Sequence, residues 1–142
     1  MSLPPQPASS AILIRAGKVL LIRRLNPPAA DLYAFPGGRA EPGETPAETA
    51  IREFQEETGI SVRNPSLFAT YDLKGENDAP DKRTHFFLSV FLVEADTDTV
   101  ALAADDASEA GWYSPDEILT LPAPASVYEC ATRLKERLEG AL

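Results

Sequence analysis

The sequence predicts an α+β layered domain, with helices on both faces of a sheet. Three observations lead there. Apolar strand-like segments are mixed along the chain with capped amphipathic helices, and antiparallel hairpins are expected among the strands. Val19-Leu20-Leu21-Ile22 is apolar at every position, as a strand covered on both faces requires. The 142 residues are 44% hydrophobic and 25% charged, the mix of one globular domain of ordinary size.

The elements follow in order. Residues 1–8 are proline-rich and read as a flexible tail, leaving 9–142 as a single domain. Ala11 to Ile14 reads as a strand, Ala16-Gly17 as a turn, and Lys18 to Leu25 as a second strand. Asn26 to Asp31 is a loop, and Leu32 to Phe35 is a short strand running into Pro36-Gly37-Gly38. The best-marked helix opens at Thr45, an N-cap followed by Pro46 and completed as a capping box by Glu48. Gly59 closes it as a C′ glycine. Ala47, Ile51, Phe54 and Thr58 form its apolar stripe. Leu67 to Leu73 reads as a strand, Lys74 to Asp81 as a polar loop, and His85 to Val93 as a long strand. An acidic loop at Ala103 to Ser108 leads to a short strand, Glu109 to Ser114. Ser114-Pro115-Asp116-Glu117 caps a helical turn. Ser126-x-x-Glu129 reads as a second capping box, opening a last helix with Val127, Cys130, Ala131, Leu134 and Leu138 on one side.

Charge and composition exclude several functions. Thirteen Lys and Arg against 22 Asp and Glu give −9, which disfavours nucleic-acid and anionic-membrane binding. One cysteine and one histidine leave no disulfide framework and no His/Cys zinc site; Cys130 and His85 read as structural. No basic n-region with an apolar core opens the chain, and no apolar run is long enough to span a bilayer, so the expected location is cytoplasmic.

The chemistry concentrates between Gly38 and Ile60. Glu53, Glu56 and Glu57 stand at i, i+3, i+4 on the capped helix, which predicts one polar arc opposite the apolar stripe. Carboxylates one turn apart repel, and the C-terminal half of a helix disfavours negative charge. A divalent cation removes both costs. Ligation by oxygen alone suits a hard ion, Mg²⁺ first and Mn²⁺ second. Glu44 can fold back towards the same arc, and Arg52 can orient the carboxylates. A solvated acidic face explains an isolated E-x-x-E-E better than a metal does. The whole spacing reverses that judgement: Gly38, five residues, Glu44, seven residues, then Arg52-Glu53-Phe54-Gln55-Glu56-Glu57-Thr58-Gly59-Ile60. Chance agreement at its fixed positions is on the order of one in a million for such a chain.

This pattern resembles the Nudix box, G-x5-E-x7-R-E-U-x-E-E-x-G-U with U a bulky aliphatic residue; Phe54 is the one soft departure. The resemblance implies the Nudix fold, an α/β/α sandwich around a mixed sheet, and Mg²⁺-dependent hydrolysis of a nucleoside diphosphate linked to a moiety X. It implies metal ligation by Glu53, Glu56 and Glu57, with the carbonyl of Gly37 or Gly38 as a further ligand; Gly38 is the choice here. Arg52 matches the residue that holds the catalytic glutamates. The general base is either a box glutamate, Glu53 or Glu56, or an acid on a later loop, where Asp105 and Asp106 lie; Asp106 is the choice there. Phosphate contacts fall to arginines. Arg23 and Arg24 point to opposite strand faces, and Arg23 is chosen, with Arg39 and Arg83.

R-R-x-N-P-P, F-P-G-G and D-D-A-S-E-A-G-W-Y-S-P-D-E-I resemble small bacterial Nudix proteins described as ADP-ribose pyrophosphatases, so an ADP-ribose-like substrate is favoured. The alternative is an oxidised or ordinary deoxynucleoside triphosphate, cut to monophosphate and pyrophosphate. That reading is also similar in the box and in Ser66-Leu67-Phe68, but a purine-reading asparagine is missing from Leu121 to Ser126. A non-catalytic nucleotide sensor is the third reading. The expected partner is a small-molecule nucleotide, and the resemblance suggests a homodimer.

Overall fold

A computed structural model describes residues 4–25, 31–73, 85–102 and 107–140. Its strands are β1 (Gln6–Arg15), β2 (Lys18–Arg24), β3 (Tyr33–Ala34), β4 (Gly37–Arg39), β5 (Arg63–Leu73), β6 (Phe86–Glu94) and β7 (Ala107–Tyr113). Its helices are α1 (Pro46–Thr58), α2 (Pro115–Ile118) and α3 (Ala125–Gly140). Among the described residues the strands form one mixed sheet in the order β3-β2-β1-β6-β5, with β4 added to β1 and β7 to β2. β1 runs parallel to β6, from Gln6 opposite Phe86 to Leu13 opposite Val93. The other pairings are antiparallel.

The central strands have apolar residues on both faces because both faces are covered. Val19, Leu20, Leu21 and Ile22 are all fully buried. On one face Ala11, Leu13, Leu20, Phe91 and Val93 meet Ala50 and Phe54 of α1. On the other, Ile12, Val19, Leu21, Phe68 and Val90 meet Ile118, Val127, Cys130, Ala131 and Leu134 of α2 and α3. This is the α/β/α sandwich. Phe54, without exposed surface, anchors α1 to the sheet; truncating such a residue to alanine costs about 3–5 kcal/mol.

Several boundaries differ from the expectation: β5 begins at Arg63 rather than Leu67, and β7 at Ala107 rather than Glu109. The supposed tail, 1–8, is partly sheet: β1 begins at Gln6. Its first half is paired on both edges, with β6 and with β4, so tertiary pairing overrides the local proline signal. Pro36-Gly37-Gly38 was expected to leave a strand, yet Gly37–Arg39 forms β4, with Ser9 opposite Gly38 and Ser10 opposite Gly37. Finally, α3 starts at Ala125, so Ser126 lies inside its first turn rather than at an N-cap. The Pro124 carbonyl accepts from the Val127 and Tyr128 amides there.

No helix among the described residues is long and apolar enough to cross a membrane. Cys130 is buried on the core side of α3, against the Tyr71 hydroxyl at 3.3 Å. Burial raises both the Cys130 thiol and the Tyr71 phenol above their ordinary values. His85 pairs with Asp72.

Candidate active site

The site is built where α1 crosses β4. The helix starts as its sequence requires. The Thr45 side chain accepts from the Glu48 amide, the Glu48 carboxylate accepts from the Thr45 amide, and Pro46 occupies the first turn. It ends at Gly59 in the left-handed conformation, φ 76°, which an L side chain adopts only with strain. The acidic residues therefore fall in its last two turns at fixed angles.

Glycine lets β4 approach them. A Cβ on Gly38 would lie 2.5–2.9 Å from the Glu53 carboxyl group. A Cβ on Gly37 would lie 2.4–2.7 Å from the Ser9 carbonyl and the Ser10 main chain and Cβ. With both positions bare, the β4 backbone lies directly against the carboxylate of Glu53 and within reach of Glu57. The Gly37 amide donates to Glu57 Oε1 at 2.7 Å.

That contact corrects one expectation. Glu57 does not share one polar arc with Glu53 and Glu56 opposite the apolar stripe; it is 1% exposed, beside the face that carries Ala50 and Phe54. A carboxylate in such a place needs partners, and the Gly37 amide is one. Glu53 is mostly covered and Glu56 is the more open of the two, with side-chain exposures of 16% and 42%.

Arg52 ties the cluster together. Its Nε and Nη2 donate to the two Glu44 oxygens at 2.6 and 2.9 Å, a bidentate clamp. Nη1 donates to Glu53 Oε1 at 2.7 Å and, more weakly, to Glu56 at 3.2 Å. Nη2 also donates to the Arg39 carbonyl at 3.0 Å. The Thr49 hydroxyl and the Glu41 amide complete the holding of Glu44, at 2.9 and 2.8 Å. The Arg52 guanidinium, with that amide, holds the Glu44 carboxyl down at about 2, well below the ordinary range. Reciprocally, Glu44 pushes the guanidinium further up. Glu44 thus serves as an anchor for Arg52, and Arg52 as the positioning residue for Glu53 and Glu56.

The donor chemistry fits a hard divalent cation: carboxylate oxygens from Glu53, Glu56 and Glu57 lie near a backbone that glycine leaves accessible at Gly38. As the side chains stand, no three acidic, histidine or cysteine side chains among the described residues are gathered as a metal site. Arg52 draws Glu53 and Glu56 onto itself instead.

Beside this cluster opens a cleft of about 280 Å³. Phe35, Leu73, Phe86, Leu88, Val90 and Val127 give it apolar walls, and Gly37 and Gly38 connect it to the glutamates. Arg39 lines it, its guanidinium 5.3 Å from the Phe86 ring centre. Arg24 lines it; Arg23, the arginine preferred from the sequence, does not. Arg23 is instead drawn to Glu109 at 3.3 Å and Asp31 at 3.5 Å. Arg83, Asp105 and Asp106 lie outside the described residues. Phe86, Leu88 and Val90 fall at alternate positions of the strand expected from His85 to Val93. The contribution of the first turn of α3 had no signal in the sequence.

A family model described as NUDIX domain matches residues 4–134. The chain is 36% identical over 113 residues to the ADP-ribose pyrophosphatase of Methanocaldococcus jannaschii, covering 78% of this chain and 63% of that protein. It therefore spans just under two-thirds of that relative's length. It is 30% identical over 135 residues to the RNA pyrophosphohydrolase of Erythrobacter litoralis, covering 84% and 82%. Among solved structures, a bifunctional NMN adenylyltransferase/ADP ribose pyrophosphatase from Francisella tularensis, complexed with AMP and a manganese ion, superposes with a TM-score of 0.70. It is 28% identical, over 94% of this chain and 42% of that one.

Proposed function

The chain belongs to the Nudix hydrolase family, and on that premise we propose that it hydrolyses the pyrophosphate bond of a nucleoside diphosphate linked to X, with an ADP-ribose-like molecule as substrate. The observation that carries this reading is the junction of Glu53, Glu56 and Glu57 with the Gly37–Gly38 backbone at the edge of an apolar cleft. The cleft suits a base and its ribose, while the junction suits the bridge between two phosphates.

Glu53, Glu56 and Glu57, with the Gly38 carbonyl, are the residues that would hold Mg²⁺, or Mn²⁺ in its place. When bound, the ion supplies Lewis-acid stabilisation and neutralises charge on the phosphate oxygens. The chain's own residues do the rest. Apolar walls seat the nucleoside and keep bulk water away from it. Arg24 and Arg39, which line the cleft, would meet the anionic bridge and let a chain of net charge −9 admit an anion. Water adds to one phosphorus of the bridge, the P–O bond to the bridging oxygen breaks, and two phosphate monoesters leave. A box glutamate takes the proton from that water. Glu56, the more open of the Arg52-bound pair and the more weakly held, suits the role better than Glu53. Arg52, fixed by Glu44, keeps both carboxylates oriented through the cycle.

The test is a panel assayed with and without Mg²⁺: ADP-ribose, NADH, diadenosine polyphosphates, canonical and oxidised deoxynucleoside triphosphates, and 5′-triphosphate RNA, with products identified by mass. The expected result is Mg²⁺-dependent conversion of ADP-ribose to AMP and ribose 5-phosphate. Turnover of triphosphates alone, giving pyrophosphate, overturns the substrate; no turnover of any compound overturns the reaction.

A further inference from the structure

The segment that leads into α3 has few hydrogen-bonding groups of its own. Leu121-Pro122-Ala123-Pro124 contains two prolines, so only the Leu121 and Ala123 amides can donate. Both do. The Leu121 amide donates to the Ile118 carbonyl at 3.1 Å, and the Ala123 amide to the Tyr128 phenol oxygen at 3.1 Å. The Tyr128 hydroxyl in turn donates to the Leu121 carbonyl. One phenol, two residues into the next helix turn, therefore closes the segment by accepting at one point and donating at another. The Pro122 carbonyl accepts from the Tyr33 amide at 2.9 Å, which joins the segment to β3.

This segment borders the apolar cleft. Pro124, Ser126 and Val127 line the cleft, and so do Ala34 and Phe35, which follow Tyr33. Tyr128 is not among the lining residues. Resting on the proposed seating of the nucleoside in this cleft, we infer that Tyr128 is a positioning residue: its hydroxyl fixes the wall that holds the nucleoside and takes no part in the chemistry at the glutamates.

The separation of the two roles follows from the layers. Glu53, Glu56 and Glu57 belong to α1 on one face of the sheet, where Arg52 and the Gly37 amide hold them. Val127 and its neighbours on α3 pack on the other face. In Tyr128→Phe the ring stays and both hydroxyl bonds go, so the Leu121 carbonyl and the Ala123 amide lose this partner. A wall that holds its binding shape only part of the time lowers affinity by that fraction. Binding lost equally from substrate and transition state raises KM and leaves kcat in place.

The experiment measures KM and kcat of the full chain for ADP-ribose with Mg²⁺, and the Kd for AMP in EDTA by calorimetry. Tyr128→Phe is expected to raise KM and the AMP Kd about tenfold each, with kcat within about twofold of wild type. Tyr71→Phe is the matched control: it removes a phenol hydroxyl that meets α3 at Cys130, 3.3 Å away, and is expected to change none of the three. Unchanged KM and Kd in a folded Tyr128→Phe, a loss confined to kcat, or an equal rise in Tyr71→Phe overturns the positioning role and leaves the reaction standing. A wild type that binds no AMP overturns the nucleoside seat, and the role of Tyr128 with it. Should Tyr128→Phe fail to fold, hydrogen exchange at the wild-type Ala123 amide decides: slow exchange before AMP is added supports the preformed wall, and exchange that slows only on binding overturns it.

Discussion

Substituting the two adjacent glycines of β4 should separate folding from catalysis. In Gly38→Ala the new methyl would stand 2.5 Å from Glu53 Cδ and 2.6 Å from Glu53 Oε2. Ordinary carbon contacts lie near 3.5 Å, so the carboxylate must retreat by about 1 Å. It is the far end of a flexible side chain, and the fold tolerates this at about 1 kcal/mol. The retreat strains the 2.7 Å bond from Arg52 to Glu53, however. A displacement of about 1 Å at a reacting centre costs on the order of 10²-fold in rate. In Gly37→Ala the methyl would meet the Ser9 carbonyl at 2.4 Å and Ser10 at 2.6 Å, atoms fixed within β1. Nothing there can swing away. A destabilisation of about 3 kcal/mol is expected, lowering Tm by on the order of 10 °C for a chain of this size. The assays are a thermal melt by circular dichroism and steady-state turnover of ADP-ribose with Mg²⁺. Gly38→Ala should melt within a few degrees of wild type and turn over at about a hundredth of its rate; Gly37→Ala should melt early. Near-wild-type turnover by Gly38→Ala, or a wild-type melt for Gly37→Ala, would refute the close approach of β4 to α1.

Four further outcomes follow from the same geometry. Glu44 has a folded-state value of about 2 against an ordinary 4.5, so its contribution to stability is complete above about pH 4.5 and is lost as pH falls towards 2; Tm measured from pH 6 to 2.5 should fall less steeply for Glu44→Gln than for wild type, and parallel curves would count against the clamp. Glu57→Ala removes the acceptor of the Gly37 amide in a buried place and should cost about 1–3 kcal/mol in urea unfolding, whereas Glu57→Gln, which keeps an acceptor oxygen, should cost less. Glu56→Gln should melt like wild type yet lose roughly 10²–10³-fold in turnover, and undiminished turnover would remove Glu56 from the chemistry. Arg15 donates to the Asp96 and Thr99 carbonyls at 2.8 and 2.7 Å and stacks 4.8 Å from the ring of Trp112, so Arg15→Ala should shift the emission of this chain's single tryptophan, an effect read directly by fluorescence.

Local signals in the chain were enough to define α1 and its cargo. Thr45, Pro46, Glu48 and Gly59 fix the ends of a helix by hydrogen bonds that span only a few residues. The position of Arg52 one residue before Glu53 and four before Glu56 then follows from helical pitch. The strands of the sandwich centre were equally legible, because burial on both faces demands uninterrupted apolar residues. Gly38 was legible only through its place in the box.

What the sequence left open depended on which distant segments meet. Parity along β2 said that Arg23 and Arg24 face opposite ways, but not that Glu109 of β7 would capture Arg23 while the cleft opened on Arg24. The helical wheel set Glu57 among polar neighbours; burial came from β4, whose amide arrives only because β1 pairs Gly37 with Ser10. Gln6 and Pro7 looked like tail until β6 paired with them. Sequence by itself determined the residues whose environment is made within one or two turns of backbone. Tertiary structure decided the surroundings of the rest, because a side chain's burial and electrostatics are set by atoms far away along the chain and near in space.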